Sequence, residues 1–461
     1  MSILAAFTVP HPPMIVPAVG KGEESTIEET TAAYERVADE IAALEPDTII
    51  ITSPHSVMYA DYFHLSPGSG ASGSLAQFGA PGVAFEEEYD EELVQKICAI
   101  ADEADFPAGT LGEKNASLDH ATIVPLYFIR KKYKGGKIVR SGLSGLPLAE
   151  SYRFGQMIKA AADELGRKAV FVASGDLSHK LKDYGPYGFD PSGPVYDQKV
   201  MDTLSRGAFG ELLTFDETLL EDAAECGHRS FVIMAGAMDG MKVRASAYSH
   251  QDVTGVGYGV CSFYPEGEDP DRKFLDQYMK ELEEKAKARA ESSDPYVKLA
   301  RRSLETYIRT GSMLDLPDDV PQEMLDRQAG AFVSIHEKGA LRGCIGTILP
   351  TQDSVAEEIL RNAVSASTRD PRFAPITESE LPLLEISVDV LGEPERIASK
   401  DELDVKKYGV IVRSGAKCGL LLPDLDGVDT PDRQIEIASR KGGIGPDDDV
   451  TLERFEVVRH E

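Results

Sequence analysis

A largely parallel α/β sheet flanked by helices is the fold predicted for the first half of this 461-residue chain, followed by a smaller α+β domain. Three observations predict it. Strand-like runs alternate with helix-like runs up to about residue 264, the pattern of βαβ units. The breaker-rich stretch "YPEGEDPDR" then interrupts the pattern. Beyond it come two charged helices and β-rich hairpins.

The elements follow in order. "ILAAFTV" reads as a first strand. "STIEETTAAYERVADEIAALEPD" reads as a helix: Ser25 and Glu28 have capping-box spacing, Tyr34, Val37, Ala38, Ile41 and Ala42 recur on one face, and Pro46 closes it. "DTIIITS" is a buried strand rich in β-branched residues. "YDEELVQKICAIADEA" and "RFGQMIKAAADELG" are further helices, the second leading into the strand "KAVFVAS". "HRSFVIMAGAMDG" is a helix and "KVRASAYS" a strand. In the second half, "KFLDQYMKELEEKAKARAESSD" is a charged helix, and "PYVKLARRSLETYIRTG" is another with Pro in its first turn. "GAFVSIHEKGALRGCIGTI" and "YGVIVRSGAKCGLLLP" have β-rich arms about a Gly-containing turn. The expected organisation is a domain over residues 1–266, a charged helical linker over 267–289 and a second domain over 290–461.

Charge and composition exclude several roles. The formal charge is −30, from 78 acidic against 48 basic residues. Sequence-independent nucleic-acid binding needs clustered cations to displace counterions, and anionic membrane surfaces need the same. Neither partner is expected. The first basic residue is Lys21, and prolines at 10, 12, 13 and 17 break the apolar start, so no signal peptide is expected. No run reaches the ~18 apolar residues of a spanning helix. The five cysteines are scattered without a CxxC pair, which predicts no disulfide framework and fits a cytoplasmic setting.

The histidines carry the chemistry. His11 follows the first strand in "HPPMIVP", His55 follows "DTIIITS" in "SPHS", and His179 follows "KAVFVAS" in "GDLSH". Ligands of open α/β sheets bind beyond the carboxyl ends of the strands, and parallel strands place those ends on one rim. Three imidazoles from three strands therefore converge on one place. Two histidines with one carboxylate make a facial set for non-haem iron(II), with open positions for substrate and dioxygen. The third ligand is expected from "AAECGHRS", where Glu225 and Cys226 precede a helix. His64, His336 and His460 read as structural or solvated, and His250 in "SHQD" is a weaker site candidate.

"HPPMIVP", "SPHS", "LDHATIVPLYF" and "SGDLSHKL" resemble the LigB-type class III extradiol ring-cleavage dioxygenases and the related Memo family, over roughly residues 3 to 264. The resemblance implies that His11 and His55 bind Fe(II). It implies that His179 is the acid–base histidine with Asp176 beside it, and that His120 lines the substrate pocket. Dioxygenases carry Glu at the third ligand position and Memo proteins carry Cys before Gly. "ECG" offers both, so Glu225 and Cys226 each qualify. The implied substrates are a catechol-type diol and dioxygen.

In the second half, "GALRGCIGTILP", "STRDPRFAPITESELPLLEISVDVL" and "KYGVIVRSGAKCGLLLP" resemble the AMMECR domain, over roughly residues 290 to 458. Fusions of this domain with a Memo-like one resemble the AmmeMemoRadiSam system, which implies a radical-SAM partner protein. The candidates here are Arg342 and Cys344, with Gly343 and Gly346 as points where backbone can approach a ligand. Arg342 either holds an anion bidentately or pairs with an acid such as Glu385. Arg369, Asp370 and Arg372 in "RDPRF" are open to the same two readings, and "SRKGGI" departs from the family pattern.

Three functions follow as expectations. The first is an iron(II) extradiol dioxygenase with an accessory domain. The second is a Memo-like metal-binding redox or scaffold protein acting with the radical-SAM partner. The third is a hydrolase or ligase built on Cys344.

Overall fold

The computed structural model describes residues 2–461 apart from positions 113, 115, 116, 338, 339, 426 and 447. Its contacts divide the chain into two units, Met1–Tyr278 and Met279–Glu461.

The first unit is built on a six-stranded sheet. Its strands are β1 (Ile3–Val9), β2 (Thr48–Thr52), β3 (Lys137–Ser141), β4 (Ala169–Ser174), β5 (Met241–Gln251) and β6 (Tyr258–Glu268), in the order β3-β2-β4-β1-β6-β5. The first four are mutually parallel, while β6 and β5 close the edge as an antiparallel pair. The helices are α1 (Glu28–Leu44), α2 (Glu91–Glu103), α3 (His120–Lys132), α4 (Leu148–Leu165), α5 (Ser192–Arg206) and α6 (His228–Ala237). The apolar face of α1 (Tyr34, Val37, Ala38, Ile41) shares one core with Phe7, Ile49, Ile51, Val170 and Val172. Each Val, Ile or Phe side chain among them contributes roughly 1.5–3 kcal/mol on leaving water.

Two local expectations differ from the structure. Ser25 does not cap α1: its hydroxyl donates to the Gly22 carbonyl at 2.7 Å within a 3-10 turn, and the helix begins at Glu28. The breakers of "YPEGE" do not interrupt the sheet, because β6 runs through them to Glu268, accommodating Pro265 at a register shift.

One close approach sets the site. After β4, Gly175 lies against Gly227: a Cβ on Gly175 would stand 2.1 Å from the Gly227 Cα. Only glycine lets the "ECG" loop reach the end of β4. Gly175→Ala is expected to push the two segments apart, destabilising the fold by about 1–3 kcal/mol. It should also weaken metal binding, and a denaturant titration beside a metal titration measures both.

The second unit begins within the charged helix α7 (Phe274–Ser292), which spans the division. It continues with α8 (Pro295–Thr310), β7 (Ala331–Glu337), β8 (Ala340–Gly346), α9 (Val355–Thr368), β9 (Leu384–Leu391), β10 (Glu395–Ile397), β11 (Tyr408–Ser414), β12 (Lys417–Leu421), α10 (Pro431–Lys441) and β13 (Thr451–His460). The strands form a curled antiparallel sheet in the order β8-β7-β9-β13-β11-β12, with β10 also pairing β13. Both predicted hairpins have paired arms. The turn of the first, at positions 338 and 339, lies outside the described residues; Gly415 turns the second at φ 58°.

Candidate functional site

The carboxyl ends of β1, β2 and β4 share one rim, and three of the predicted histidines emerge from it. His11 and His55 have ring centroids 5.0 Å apart at nearly right angles. His120, at the first position of α3, brings its ring to 4.2 Å from His55 and 5.4 Å from His11. Cys226 completes the group: its sulphur is 3.7 Å from His11 Nε2. The donor atoms of His11, His55 and Cys226 all lie within 4.8 Å of one another. Ligand bonds of about 2.0–2.3 Å place donors at most about 4.6 Å apart, so a small inward shift of the side chains brings this set onto one first-row ion. A second group, Asp176, His179 and Cys226, meets the same distance criterion and shares the thiol.

The surroundings decide which lone pair of His11 faces the group. Ser174, the last residue of β4, donates its one hydroxyl proton to the Ala121 carbonyl at 2.7 Å. Its oxygen therefore accepts from His11 Nδ1–H at 3.1 Å, which leaves Nε2 unprotonated and facing Cys226. Asp176 accepts the His11 backbone N–H at 2.7 Å, so this carboxylate orients His11. Ser174→Ala frees the tautomer, and metal affinity is expected to drop about 10–100-fold, as measured by competition against a chelator.

Burial holds these groups in the uncharged form. It pushes His11 well below its usual range, helped by His55, His120 and His179. Burial, then the His55 charge, lowers His120 and His179 each to about 4, and burial lowers His55 as well. Burial raises Asp176 to about 7 and the Cys226 thiol well above its usual range. Crowded neutral imidazoles around a thiol are a donor set that a cation fits.

Glu225 faces elsewhere. Its carboxylate accepts the His228 N–H at 2.5 Å at the start of α6, and burial lifts it to about 7. The reason is geometric: the Gly175–Gly227 contact turns Cys226 toward the rim and leaves Glu225 to satisfy the helix end. His179 donates its backbone N–H to the Ala223 carbonyl at 3.1 Å, and its ring stacks on Tyr187 at 5.1 Å. His250 joins the buried Asp197 at 2.8 Å, away from the group. His64 is buried, and His460 stacks on Tyr296 at 3.7 Å.

A hollow of about 990 Å³ opens beside His55 and His120, walled by Ser72, Ser74 and Phe85 and floored by Asp119 and Arg140. Its wall is the hairpin Gly70–Leu75 with Ala80–Glu88. Sequence reasoning missed this wall and Ser174. The signals were present: a Gly/Ser-rich run after the second strand, and a hydroxyl at a strand's carboxyl end. A hollow of about 1120 Å³ against Arg130 and Arg167 does not touch the histidines.

In the second unit the Arg342 guanidinium donates to Glu380 at 2.6 Å and to the Ala374 carbonyl at 2.7 Å. Glu385, the acid expected there, pairs with Arg289 instead. The glycines beside Cys344 serve packing. A Cβ on Gly343 would stand 2.2 Å from the Ala366 carbonyl of α9, and one on Gly346 would stand 2.2 Å from the Phe332 ring. The Cβ side of each glycine is filled by these neighbours. Arg372 forks onto Asp370 at 2.9 and 2.6 Å. No helix among the described residues is long and apolar enough to cross a membrane.

Comparison with known proteins matches these two units. The family described as the catalytic LigB subunit of aromatic ring-opening dioxygenase matches residues 5–261. The AMMECR1 family matches residues 297–460. A protein of Clostridium acetobutylicum is 44% identical, covering 100% of this chain and 99% of its own. A Thermotoga maritima protein is 51% identical over 36% of this chain and 97% of its own. Among solved structures, an uncharacterised protein of Pyrococcus horikoshii shares 30% identity with a TM-score of 0.34, over 36% of this chain and 88% of that one.

Proposed function

Because this chain belongs to the LigB family over residues 5–261 and carries an AMMECR1 domain over 297–460, we propose that its first unit is a metal-dependent dioxygenase-type oxidoreductase acting on a small aromatic diol. The observation that supports this reading is the meeting of His11, His55 and Cys226 donors within 4.8 Å beside an open hollow. These three residues would hold iron(II). When bound, the metal supplies Lewis acidity toward a diol and a redox-active centre for dioxygen.

The chain's own residues do the rest. Ser174 fixes the His11 tautomer, and Asp176 fixes its backbone. His179, pushed to about 4, is a free base at neutral pH and takes a proton from a substrate hydroxyl. His120, flanked by His55 and Phe78, lines the hollow that would receive the diol. Pro12, Pro13 and Pro54 limit the freedom of the ligand loops, since a locked φ removes conformers the loop must otherwise lose.

The thiol favours a second reading. A thiolate donates more strongly than a carboxylate and suits softer or redox-cycling metals. With Cys226 in the donor set and Glu225 turned away, a Memo-like metal-binding redox or scaffold role beside a radical-SAM partner is the alternative. Oxygen uptake by anaerobically iron-loaded protein against a panel of catechols separates the two. Uptake supports the dioxygenase. Bound iron without uptake on any diol supports the alternative.

A further inference from the structure

The segment that carries His179 is held by a buried carboxylate from another element. After β4 ends at Ser174, residues 175–180 run on without helix or strand. Within four residues this loop brings Asp176, which orients His11, an N–H onto the Cys226 sulphur at 3.4 Å, and His179 itself. Backbone carbonyls take two of its N–H groups: Leu177 donates to Gly257 at 2.9 Å and His179 to Ala223 at 3.1 Å. Ser178, between them, donates instead to Oδ1 of Asp197 on α5, at 2.8 Å. The second oxygen of that carboxylate meets His250 Nε2, from β5, at 2.8 Å.

Asp197 is 2% exposed and tightly enclosed. A Cβ on Gly257, just before β6, would stand 2.1 Å from its Oδ2 and 2.8 Å from the Leu177 Cβ, so only glycine lets the three segments meet. A buried carboxylate is costly unless it is paired and hydrogen-bonded. Burial pushes Asp197 above its usual range, and the bonds from His250 and the Ser178 N–H pull against that. A neutral acceptor would be enough to satisfy one N–H. A carboxylate does more, because charge-assisted bonds are shorter and roughly twice as strong. Here its far oxygen is also tied to a ring on β5, which fixes the direction of the bond to Ser178.

We propose that Asp197, held by His250, is a positioning residue for His179. Through the Ser178 N–H it sets where the His179 ring stands, and so the rate at which that ring takes the substrate proton. The placement of the ring follows from the bonds above, while the effect on rate rests on the dioxygenase reading of the site. Asp197 bonds to Ser178 and His250, neither of them a donor in the His11, His55 and Cys226 group, so iron should stay bound without it.

The test compares the full chain with Asp197→Ala and Asp197→Asn. Two measurements need no substrate. Hydrogen exchange across residues 176–181 should rise about tenfold in Asp197→Ala, the weight of one hydrogen bond. Carbethoxylation of His179 by diethyl pyrocarbonate, read by peptide mapping, should rise in step as the ring leaves Tyr187. On iron-loaded protein with a panel of catechols, Asp197→Ala should lower kcat for oxygen uptake about 10- to 100-fold, the cost of a misplaced reacting group. KM and iron content should hold. Asp197→Asn keeps an acceptor for Ser178 and should restore most of kcat and of the exchange protection. If Asp197→Ala does not fold, Asp197→Leu, close in size and without an acceptor, takes its place. Unchanged exchange and carbethoxylation overturn the proposal, as do iron lost with activity, a rise in KM in place of the fall in kcat, or Asn no better than Ala. No uptake by the parent chain on any diol sinks the dioxygenase reading instead, and the two substrate-free measurements then decide the placement of His179.

Discussion

Iron-loaded His11→Ala is expected to lose metal binding by more than about 100-fold, since disturbing a ligand's hydrogen-bond partner alone costs about 10–100-fold. His11 is 2% exposed and its Nε2 faces the Cys226 sulphur at 3.7 Å, so no nearby water can replace it without rearrangement. Cys226→Ala should cause a loss of the same order, whereas Glu225→Gln should retain the metal, because that carboxylate serves the start of α6. The comparison carries a proton signature. Burial holds the Cys226 thiol well above its usual range, so it is protonated in the metal-free protein at neutral pH. The imidazoles are pushed down and carry no proton to release. Metal binding should therefore release one proton from the thiol and a further fraction from Asp176, which burial holds at about 7, and apparent affinity should rise at least about tenfold per pH unit through the neutral range. Calorimetry in two buffers of different ionisation enthalpy measures the release. Loss of metal in Glu225→Gln with retention in Cys226→Ala would reverse the ligand assignment.

The second large effect is expected at His179. His179→Ala should keep its iron and lower the rate of oxygen uptake by roughly 10²–10⁴, the usual weight of a positioned acid–base group. With its imidazole at about 4, lowered by burial and then by His55, the ring stays a free base well below neutral pH. With the protein kept saturated with iron at each pH, the acid side of the kcat/KM profile should show no fall from His179 down to about pH 5. A nearby cation would lower the ring further and widen that flat region. Iron content and uptake measured on the same preparation test both halves. Iron lost together with activity would make His179 a ligand through the Asp176–His179–Cys226 group.

Much of this architecture was legible beforehand, for a physical reason visible in particular residues. Strand and helix periods are local, so "DTIIITS" and Tyr34, Val37, Ala38 and Ile41 announced β2 and the buried face of α1. Placement at strand ends is also local, and parallel strands convert it into proximity. That is why His11 and His55 could be paired across 44 residues of chain before any coordinates. The Ser25 cap failed because a competing carbonyl, Gly22, stood within reach of the same hydroxyl. The strand through "YPEGE" escaped notice because pairing with β5 overrode its breakers.

The amino-acid sequence by itself determined the two-unit plan, the α/β order of the first unit and the set of histidines on one rim. Only the tertiary structure decided which member of "ECG" joins them, which nitrogen of His11 faces inward, and that Gly343 and Gly346 are filled by Ala366 and Phe332. Adjacent side chains at a helix start point in different directions, and contacts from distant segments select between them. The approach of Gly175 to Gly227, the Ser174 bond to Ala121 and the curl of the second sheet are such contacts, and no local period encodes them.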